Sequence, residues 1–346
     1  MANRDVLAIG TSAGGVEALK FLASRFPADL AASVLVTIHL PRHFRSNLDA
    51  ILTSAGPLPA AFAQDGESLQ QRRIYLAPPE RHLLIDGNRI WLGSGPRENH
   101  ARPAIDPMLR SEAVCCGSRS VGVILTGALG DGAAGLLALQ KCGGRTVVQD
   151  PKDAVFREMP STALSLVNPD HVLPLADMPS LFQRLVREPA AQPIPVPLTL
   201  KYEVEIAKGS HMSMDDMDRI GRRSVLTCPD CGGTMWEINE GHLVRYRCHE
   251  GHAYASELMS MALDENLRRT LATALRVIEE RVALARKLGT DAREHGRPTL
   301  ANSWAIQAEE LEQQARAIRS SLARIDEMVA GSQADELRTE PERAAE

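Results

Sequence analysis

The sequence predicts an α/β protein with a doubly wound, mostly parallel sheet and helices on both faces, followed by a small Cys/His module and an α-helical hairpin. Over residues 1–185, short apolar runs alternate with helix-like segments, a pattern typical of a parallel sheet covered on both sides. Cysteines and histidines cluster within residues 225–256. From residue 257 the composition shifts to Ala, Leu, Glu and Arg, with apolar residues every three or four positions, which predicts two amphipathic helices.

The predicted elements follow in chain order. A strand over 6–9 leads into a helix over 16–26, and a second strand covers 33–38. The remaining elements are a strand at 73–76, a hairpin at 82–92, a helix at 106–116, a strand at 121–125, a helix at 133–142 and a strand at 145–149.

Composition limits the function classes. The chain has 346 residues, a length that suits two or three domains, and its formal net charge is −5. A mildly acidic chain is not built for nonspecific binding of nucleic acid. No apolar run approaches the ~18 residues of a membrane span, and the first predicted strand leaves no room for a signal peptide. We therefore expect a cytoplasmic protein without membrane insertion.

Composition also suggests domain boundaries. We expect a first domain over 1–186, a proline-containing linker over 187–224 and the Cys/His module over 225–256. The helical hairpin is expected over 257–330, with a break between 289 and 298, and a flexible charged tail over 331–346.

The first candidate site residue is Ser12, at the apex of a glycine turn between the first strand and the first helix. A hydroxyl there faces the positive end of a helix dipole, which suits a nucleophile. The same turn also suits a phosphate cradle, so this motif leaves both open.

The end of the second strand argues against a dinucleotide site. Such a site expects an acidic residue there to hold a ribose, but the strand is followed by His39. A histidine can instead accept the proton of a serine hydroxyl.

Asp131 completes the set, in a glycine-rich loop after the strand at 121–125. Capping of the next helix is the alternative role for this aspartate. Ser12, His39 and Asp131 all follow apolar strands, and the carboxyl ends of parallel strands share one sheet edge. Serine, histidine and carboxylate at one edge are the groups that acyl transfer needs.

Three ordered motifs resemble the catalytic domain of the chemotaxis receptor methylesterase family (CheB type). They are IGTSAGG at 9–15, the histidine and proline turn HLPRHF at 39–44, and LTGALGDGAAG at 125–135. Supporting segments are YLAPPERHLLI at 75–85, GPREN at 95–99, RPAIDPMLRS at 102–111 and FREMPSTAL at 156–164.

The resemblance implies Ser12 as nucleophile, His39 as base and Asp131 as orienting carboxylate. It implies hydrolysis of glutamyl methyl esters on chemoreceptor helices, with glutamine deamidation as a second activity and no catalytic cofactor. Methylated chemoreceptors and other chemosensory proteins are the implied partners. Ala13 and Ala128 depart from the family, which often has threonine and methionine there.

The resemblance also sets an expectation about architecture. Typical members carry a receiver domain before the esterase, whereas here the similarity begins at residue 4. We expect the C-terminal extension to take the place of the phosphorylation-controlled switch that the receiver domain provides. A catalytically weak scaffold acting through the extension is the alternative function.

Further residues have weaker signals. His82 either lines the site or is structural. Arg42, Arg45, Arg97 and Arg102 either steer the protein towards acidic receptor helices or are ordinary solvated arginines.

The Cys/His module has metal-ligand spacing. Cys228 and Cys231 form a C-x-x-C pair, and Cys248 is followed by His249 and His252. We expect a zinc-ribbon-like module with a structural, non-catalytic zinc, because a unit of ~30 residues needs a staple. We prefer His252 to His249 as the fourth ligand; a redox C-x-x-C or reduced surface cysteines are the alternatives.

Overall fold

The computed structural model describes residues 3–39 and 46–338, with side chains described as far as residue 327. The chain divides into two compact units, Met1–Met259 and Ser260–Glu346.

A seven-stranded sheet forms the centre of the first unit, with every neighbouring pair of strands parallel and the order β3-β4-β2-β1-β7-β8-β9. Its strands are β1 (Val6–Thr11), β2 (Ser33–Ile38), β3 (Ala60–Phe62), β4 (Arg73–Leu76), β7 (Ser120–Ile124), β8 (Arg145–Gln149) and β9 (His171–Leu173). A separate antiparallel hairpin consists of β5 (His82–Asp86) and β6 (Arg89–Gly93). The predicted doubly wound architecture and the predicted hairpin are confirmed.

Helices cover both faces of this sheet. They are α1 (Gly15–Arg25), α2 (Leu48–Ala55), α3 (Ile105–Cys115), α4 (Ala133–Lys141), α5 (Glu158–Leu166) and α6 (Met178–Leu185). Alternate residues of β1 point to opposite sides: Leu7 packs in the core with α1, α2 and α6, and Ala8 packs with α3, α4 and α5. Burial on both faces explains why the strands are apolar throughout.

The chain reverses its direction of winding around β1. The strands after β1 extend to one side as far as β3, and the chain then returns to place β7 on the other side of β1. In an open parallel sheet, the crevice outside the carboxyl ends at such a switch point is where sites form.

The segment predicted as a linker differs from that expectation. It contains α7 (Leu198–Lys208) and α8 (Met214–Ile220). Leu200, Val204 and Ile206 of α7 are buried. The residues from 190 to 197, which include three prolines, lack regular structure. The predicted linker is therefore too long, because the chain becomes helical at Leu198.

The Cys/His module is a four-stranded antiparallel sheet that we call the ribbon. Its strands are β10 (Arg222–Thr227), β11 (Thr234–Glu240), β12 (Leu243–Cys248) and β13 (Ala253–Ala255). Its central strands, β11 and β12, pair as an antiparallel hairpin. Trp236 and Ile238 of β11 bury against Met217 and Ile220 of α8.

Two long helices make up the C-terminal part, α9 (Ser256–Glu294) and α10 (Pro298–Arg338). Cross-helix ion pairs join Arg268 to Asp326 and Glu279 to Arg319, so the helices are antiparallel as predicted. The helices extend past the predicted limits: α9 continues through Gly289, and α10 runs to Arg338, into the segment predicted as a tail. The rest of that tail, 339–346, lies outside the described residues. No helix in the described ranges is long and apolar enough to span a membrane.

Candidate active site and metal-binding cluster

Ser12 and His39 occupy equivalent positions at the ends of neighbouring strands. Thr11 of β1 and Ile38 of β2 are partners in the parallel register, and each candidate residue follows one of them. The His39 N–H donates to the Thr11 carbonyl at 3.4 Å. The sheet therefore brings the serine and the histidine side by side, as the sequence predicts.

The loop after β7 approaches Ser12 closely. The Ser12 N–H donates to the Thr126 carbonyl at 3.1 Å, and a Cβ on Gly127 would lie 2.9 Å from the Ser12 Cβ. Gly127 thus leaves the space that this approach requires. Gly14 adopts a left-handed backbone, φ 75°, which turns the chain from Ser12 into α1.

His39 and Asp131 are joined by a hydrogen bond. His39 Nε2–H donates to Asp131 Oδ2 at 2.8 Å, with the histidine side chain 23% exposed and the aspartate 1% exposed. This arrangement leaves His39 Nδ1 as the nitrogen available to Ser12. Ser12 Oγ makes no hydrogen bond to His39 within the described residues; apo sites often show such bonds only when substrate is bound.

Asp131 is held by four donors. Besides His39, Asp131 Oδ2 accepts from the Ile105 N–H at 2.6 Å, and Asp131 Oδ1 accepts from the Asp106 N–H at 3.3 Å and from Asn99 Nδ2 at 3.1 Å. Burial disfavours the charged carboxylate, but these donors and the nearby imidazole hold the pKa of Asp131 below its usual value. The carboxylate stays ionised and can stabilise an imidazolium.

The capping role considered for Asp131 takes a different form. Gly132 is the N-cap of α4, and Asp131 instead binds the first N–H groups of α3. Asp106 of α3 accepts from the Gly135 N–H of α4 at 2.6 Å. Burial and the neighbouring Asp131 raise the pKa of Asp106 to about 7.

Asn99 and Asp106 belong to this site and carry no role in the sequence analysis. Both stand in motifs that support the family resemblance, GPREN and RPAIDPMLRS. The position of Asn99, a polar residue in a proline-containing loop, is a sequence signal that it has a specific role. The sequence does not show which residues it binds, because Asp131 and Ala255 lie in distant segments.

The weaker candidates have other surroundings. His82 is fully buried; its Nε2–H donates to the Pro96 carbonyl at 2.9 Å and its Nδ1 accepts from the Ala104 N–H at 3.2 Å. Arg97 and Arg102 both pair with Glu80. These contacts hold the loop over 96–104 in place. They favour a structural role for His82, Arg97 and Arg102 over the roles in lining the site or steering the substrate. Arg42 and Arg45 lie outside the described residues.

Cys228, Cys231, Cys248 and His252 come together in the ribbon. Their ligand atoms all lie within 4.8 Å of one another. The Cys231 and Cys248 sulfurs are 3.7 Å apart, and the Cys248 sulfur is 3.5 Å from His252 Nδ1. Tetrahedral zinc with its usual bond lengths requires about 3.8 Å and about 3.6 Å for such pairs, so the cluster fits a zinc ion. His249 is outside this group and pairs with Glu250.

A serine, a histidine and a buried carboxylate at the edge of a doubly wound sheet define a serine-hydrolase type of site. The family described as "CheB methylesterase" matches residues 7–182. This chain belongs to that family.

Individual relatives agree with this assignment. A protein-glutamate methylesterase/protein-glutamine glutaminase of Hydrogenovibrio crunogenus is 35% identical over 190 residues, covering 54% of this chain and 50% of that protein. A putative protein of the same name from Leptospira interrogans is 34% identical over 184 residues, covering 53% of this chain and 95% of that protein. The chain spans about half the length of the Hydrogenovibrio protein and of further relatives with similar names.

A solved structure shares the fold of part of this chain. The Thermotoga maritima CheB methylesterase catalytic domain is 29% identical, with a TM-score of 0.51, and covers 54% of this chain and 100% of that domain. The ribbon and the helical hairpin lie beyond the residues that the family matches.

Proposed function

We propose that this chain is a protein-glutamate methylesterase that hydrolyses glutamyl methyl esters on chemoreceptors through Ser12, His39 and Asp131. The observation that carries the proposal is the 2.8 Å hydrogen bond from His39 Nε2–H to the buried Asp131, beside the turn that presents Ser12. Family membership and the names of the relatives support the choice of substrate.

Acylation begins at Ser12. His39 Nδ1 removes the hydroxyl proton while Ser12 Oγ bonds to the ester carbonyl carbon, and Asp131 stabilises the imidazolium that forms. We assign the oxyanion to backbone N–H groups in the turn that follows Ser12, beginning with that of Ala13. The methoxy group leaves as methanol with the proton from His39.

Deacylation restores the site. Water attacks the glutamyl–serine ester, His39 takes one of its protons, and the bond to Ser12 Oγ breaks as the proton returns to that oxygen. The product is a free glutamate side chain. Glutamine deamidation follows the same steps with ammonia as the leaving group, in agreement with the glutaminase part of the relatives' names.

A surface around Ser12 suits a helical protein substrate. Val16, Leu129, Val155 and Phe156 are exposed apolar residues, and the last two lie next to Gly14. Such a surface can pack against the apolar positions that flank a glutamyl ester on a receptor helix. We propose the cytoplasmic helices of methylated chemoreceptors as the substrate and other chemosensory proteins as further partners.

Methanol release from methylated chemoreceptor tests the proposal. Wild-type protein is expected to release methanol, and Ser12→Ala to lose ~10³-fold or more of that rate. Ser24→Ala serves as the matched control, because Ser24 is exposed and its hydroxyl donates to the Phe21 carbonyl of its own helix. A wild-type protein that releases no methanol, or a Ser12→Ala protein with full activity, would refute the assignment.

We also propose that Cys228, Cys231, Cys248 and His252 bind one structural zinc. Four protein ligands leave no open position for substrate. Hydrogen bonds from the Cys248 thiol and from His252 lower the pKa of Cys228 to about 4, which favours the thiolate that binds metal. Metal analysis should find one zinc per chain in wild type and in Cys115→Ser, and little in Cys228→Ser. Equal zinc in all three proteins would contradict this ligand set.

A further inference from the structure

We propose that Asn99 is a positioning residue through which the metal-binding ribbon holds the Asp131 carboxylate in place, so that reactivity of Ser12 depends on an intact ribbon. This inference rests on the proposed function. It assigns the C-terminal module a role in supporting the active site.

One side of Asn99 faces the active site. The residue is buried and its amide nitrogen donates to Asp131 Oδ1 at 3.1 Å and to Asp106 Oδ2 at 3.2 Å. Both amide hydrogens are therefore used to bridge two carboxylates. The backbone of Asn99 has φ 50°, a left-handed conformation that asparagine tolerates better than most residues.

The other side of Asn99 is bound to the ribbon. The Asn99 N–H donates to the Ala253 carbonyl at 2.8 Å, and Asn99 Oδ1 accepts from the Ala255 N–H at 3.0 Å. The Ala253 N–H donates back to the Arg97 carbonyl at 3.3 Å. The loop thus pairs with β13, and β13 begins directly after His252.

A buried ion network fastens the ribbon to the same loop. Arg247 of β12 directly precedes Cys248 in the chain. Its guanidinium donates to Glu98 and to Glu203, each at 3.0 Å. Arg110 of α3 also pairs with both of these glutamates. Glu98 is the neighbour of Asn99, so this network determines where the asparagine lies.

The metal cluster itself touches the loop through Tyr254. The Tyr254 hydroxyl donates to Asp230, between Cys228 and Cys231, at 2.6 Å, and the ring packs edge-on against His100 with centroids 5.1 Å apart. A ribbon of this size depends on its metal for folding. Loss of the metal is therefore expected to release β13 and the Asn99 amide.

The expected consequence is a change in the ionisation of Asp131. The titratable and charged groups that face Asp131 are His39, Asp106 and the buried His82, with Arg110 next to Asp106. Without the Asn99 amide, the ionised form of Asp131 loses one of the hydrogen bonds that stabilise it, so Asp131 takes up a proton at higher pH. A ribbon that only stabilised the fold would lower the rate by one factor at every pH.

The test uses the full chain and the rate at which a fluorophosphonate labels Ser12, measured from pH 5 to 9. Asn99→Asp keeps an acceptor for the Ala255 N–H and tolerates the left-handed backbone, but it replaces the amide donor with a further carboxyl group beside Asp131 and Asp106. Asn99→Asp with its zinc retained, and wild type stripped of zinc by a chelator, are both expected to label at least tenfold more slowly at pH 6. In both, the acidic limb of the profile should move to higher pH. Val225→Ser, at a fully exposed position of the ribbon, should match wild type.

Hydrogen exchange of the same proteins gives a readout that needs no activity. Zinc removal should increase exchange at the Ile105 and Asp106 amides, which bind Asp131, and zinc addition should reverse it. Unchanged exchange and an unchanged pH profile after zinc removal would overturn the inference. A wild-type protein that labels at Ser12 but releases no methanol from receptors would overturn only the proposed substrate.

Discussion

Asp131 and Asp106 each bind the first turn of the other's helix. Asp131, which precedes α4, accepts from the Ile105 and Asp106 N–H groups at the start of α3, and Asp106 accepts from Gly135 in α4. The positive ends of two helices are thereby directed at a pair of buried carboxylates. This exchange holds the candidate orienting carboxylate at a defined position beside His39.

Removing the charge of Asp131 should affect the rate much more than binding. In Asp131→Asn the imidazolium loses its counter-charge and the histidine tautomer is no longer fixed, so kcat for methanol release should fall by about 10⁴, with KM little changed. Asp29→Asn, at an exposed position, is the matched control. Comparable kcat values for the two variants would exclude the assigned role.

Asp106 should make stability fall as pH rises. Its pKa is raised to about 7 in the folded protein, against about 3.9 for an unfolded chain. Between these values the folded state binds more protons than the unfolded state, so the free energy of unfolding decreases as pH increases. Asp106→Asn removes this contribution, and urea unfolding at pH 5 and pH 8 should show a smaller difference than in wild type. An equal difference in both proteins would contradict the assigned pKa.

A methyl group on Gly127 should displace the nucleophile. Its Cβ would lie 2.9 Å from the Ser12 Cβ and 2.7 Å from the Met159 side chain, closer than packed carbons allow. A shift of ~1 Å at Ser12 can cost ~10²-fold in rate, so Gly127→Ala should lower the rate of fluorophosphonate labelling by that order. Gly289→Ala, where the new methyl makes only ordinary contacts, should leave labelling unchanged; equal labelling of the two variants would count against this packing.

The buried ion network should be sensitive to loss of one partner. Arg247→Met leaves Glu98 and Glu203 with less compensating charge in the interior, and removal of one member of such a pair costs about 3–5 kcal/mol of unfolding free energy. Arg223→Met removes an exposed pair with Asp218 in the same ribbon and should change the urea midpoint little. Similar midpoints for both variants would show that the network does not stabilise the ribbon.

The position of the candidate active-site residues could be predicted from sequence because they follow strand ends. Once the runs before Ser12, His39 and Asp131 are recognised as parallel strands, geometry places them at one edge. The spacing of the four candidate metal ligands is similarly local. His252 satisfies the cluster where His249 does not, because the Gly251 turn brings the chain back towards Cys248.

Other features depended on contacts between distant segments. The prolines before residue 198 lead to the prediction of a linker where helix α7 lies, and Glu203 of that helix is buried and paired with Arg245, 42 residues away. Asn99 lies 156 residues from Ala255, its partner in the ribbon. Pairings over such separations leave no periodic signal in either segment.

The amino-acid sequence by itself determined the alternation of strands and helices, the edge that carries Ser12, His39 and Asp131, and the four candidate metal ligands, because each depends on local periodicity or spacing. Only the tertiary structure decided that Asp131 binds α3 rather than capping α4, and that Asn99 joins this carboxylate to the ribbon. Those choices rest on the burial of polar groups, which must find partners wherever the folded chain brings them within hydrogen-bond distance.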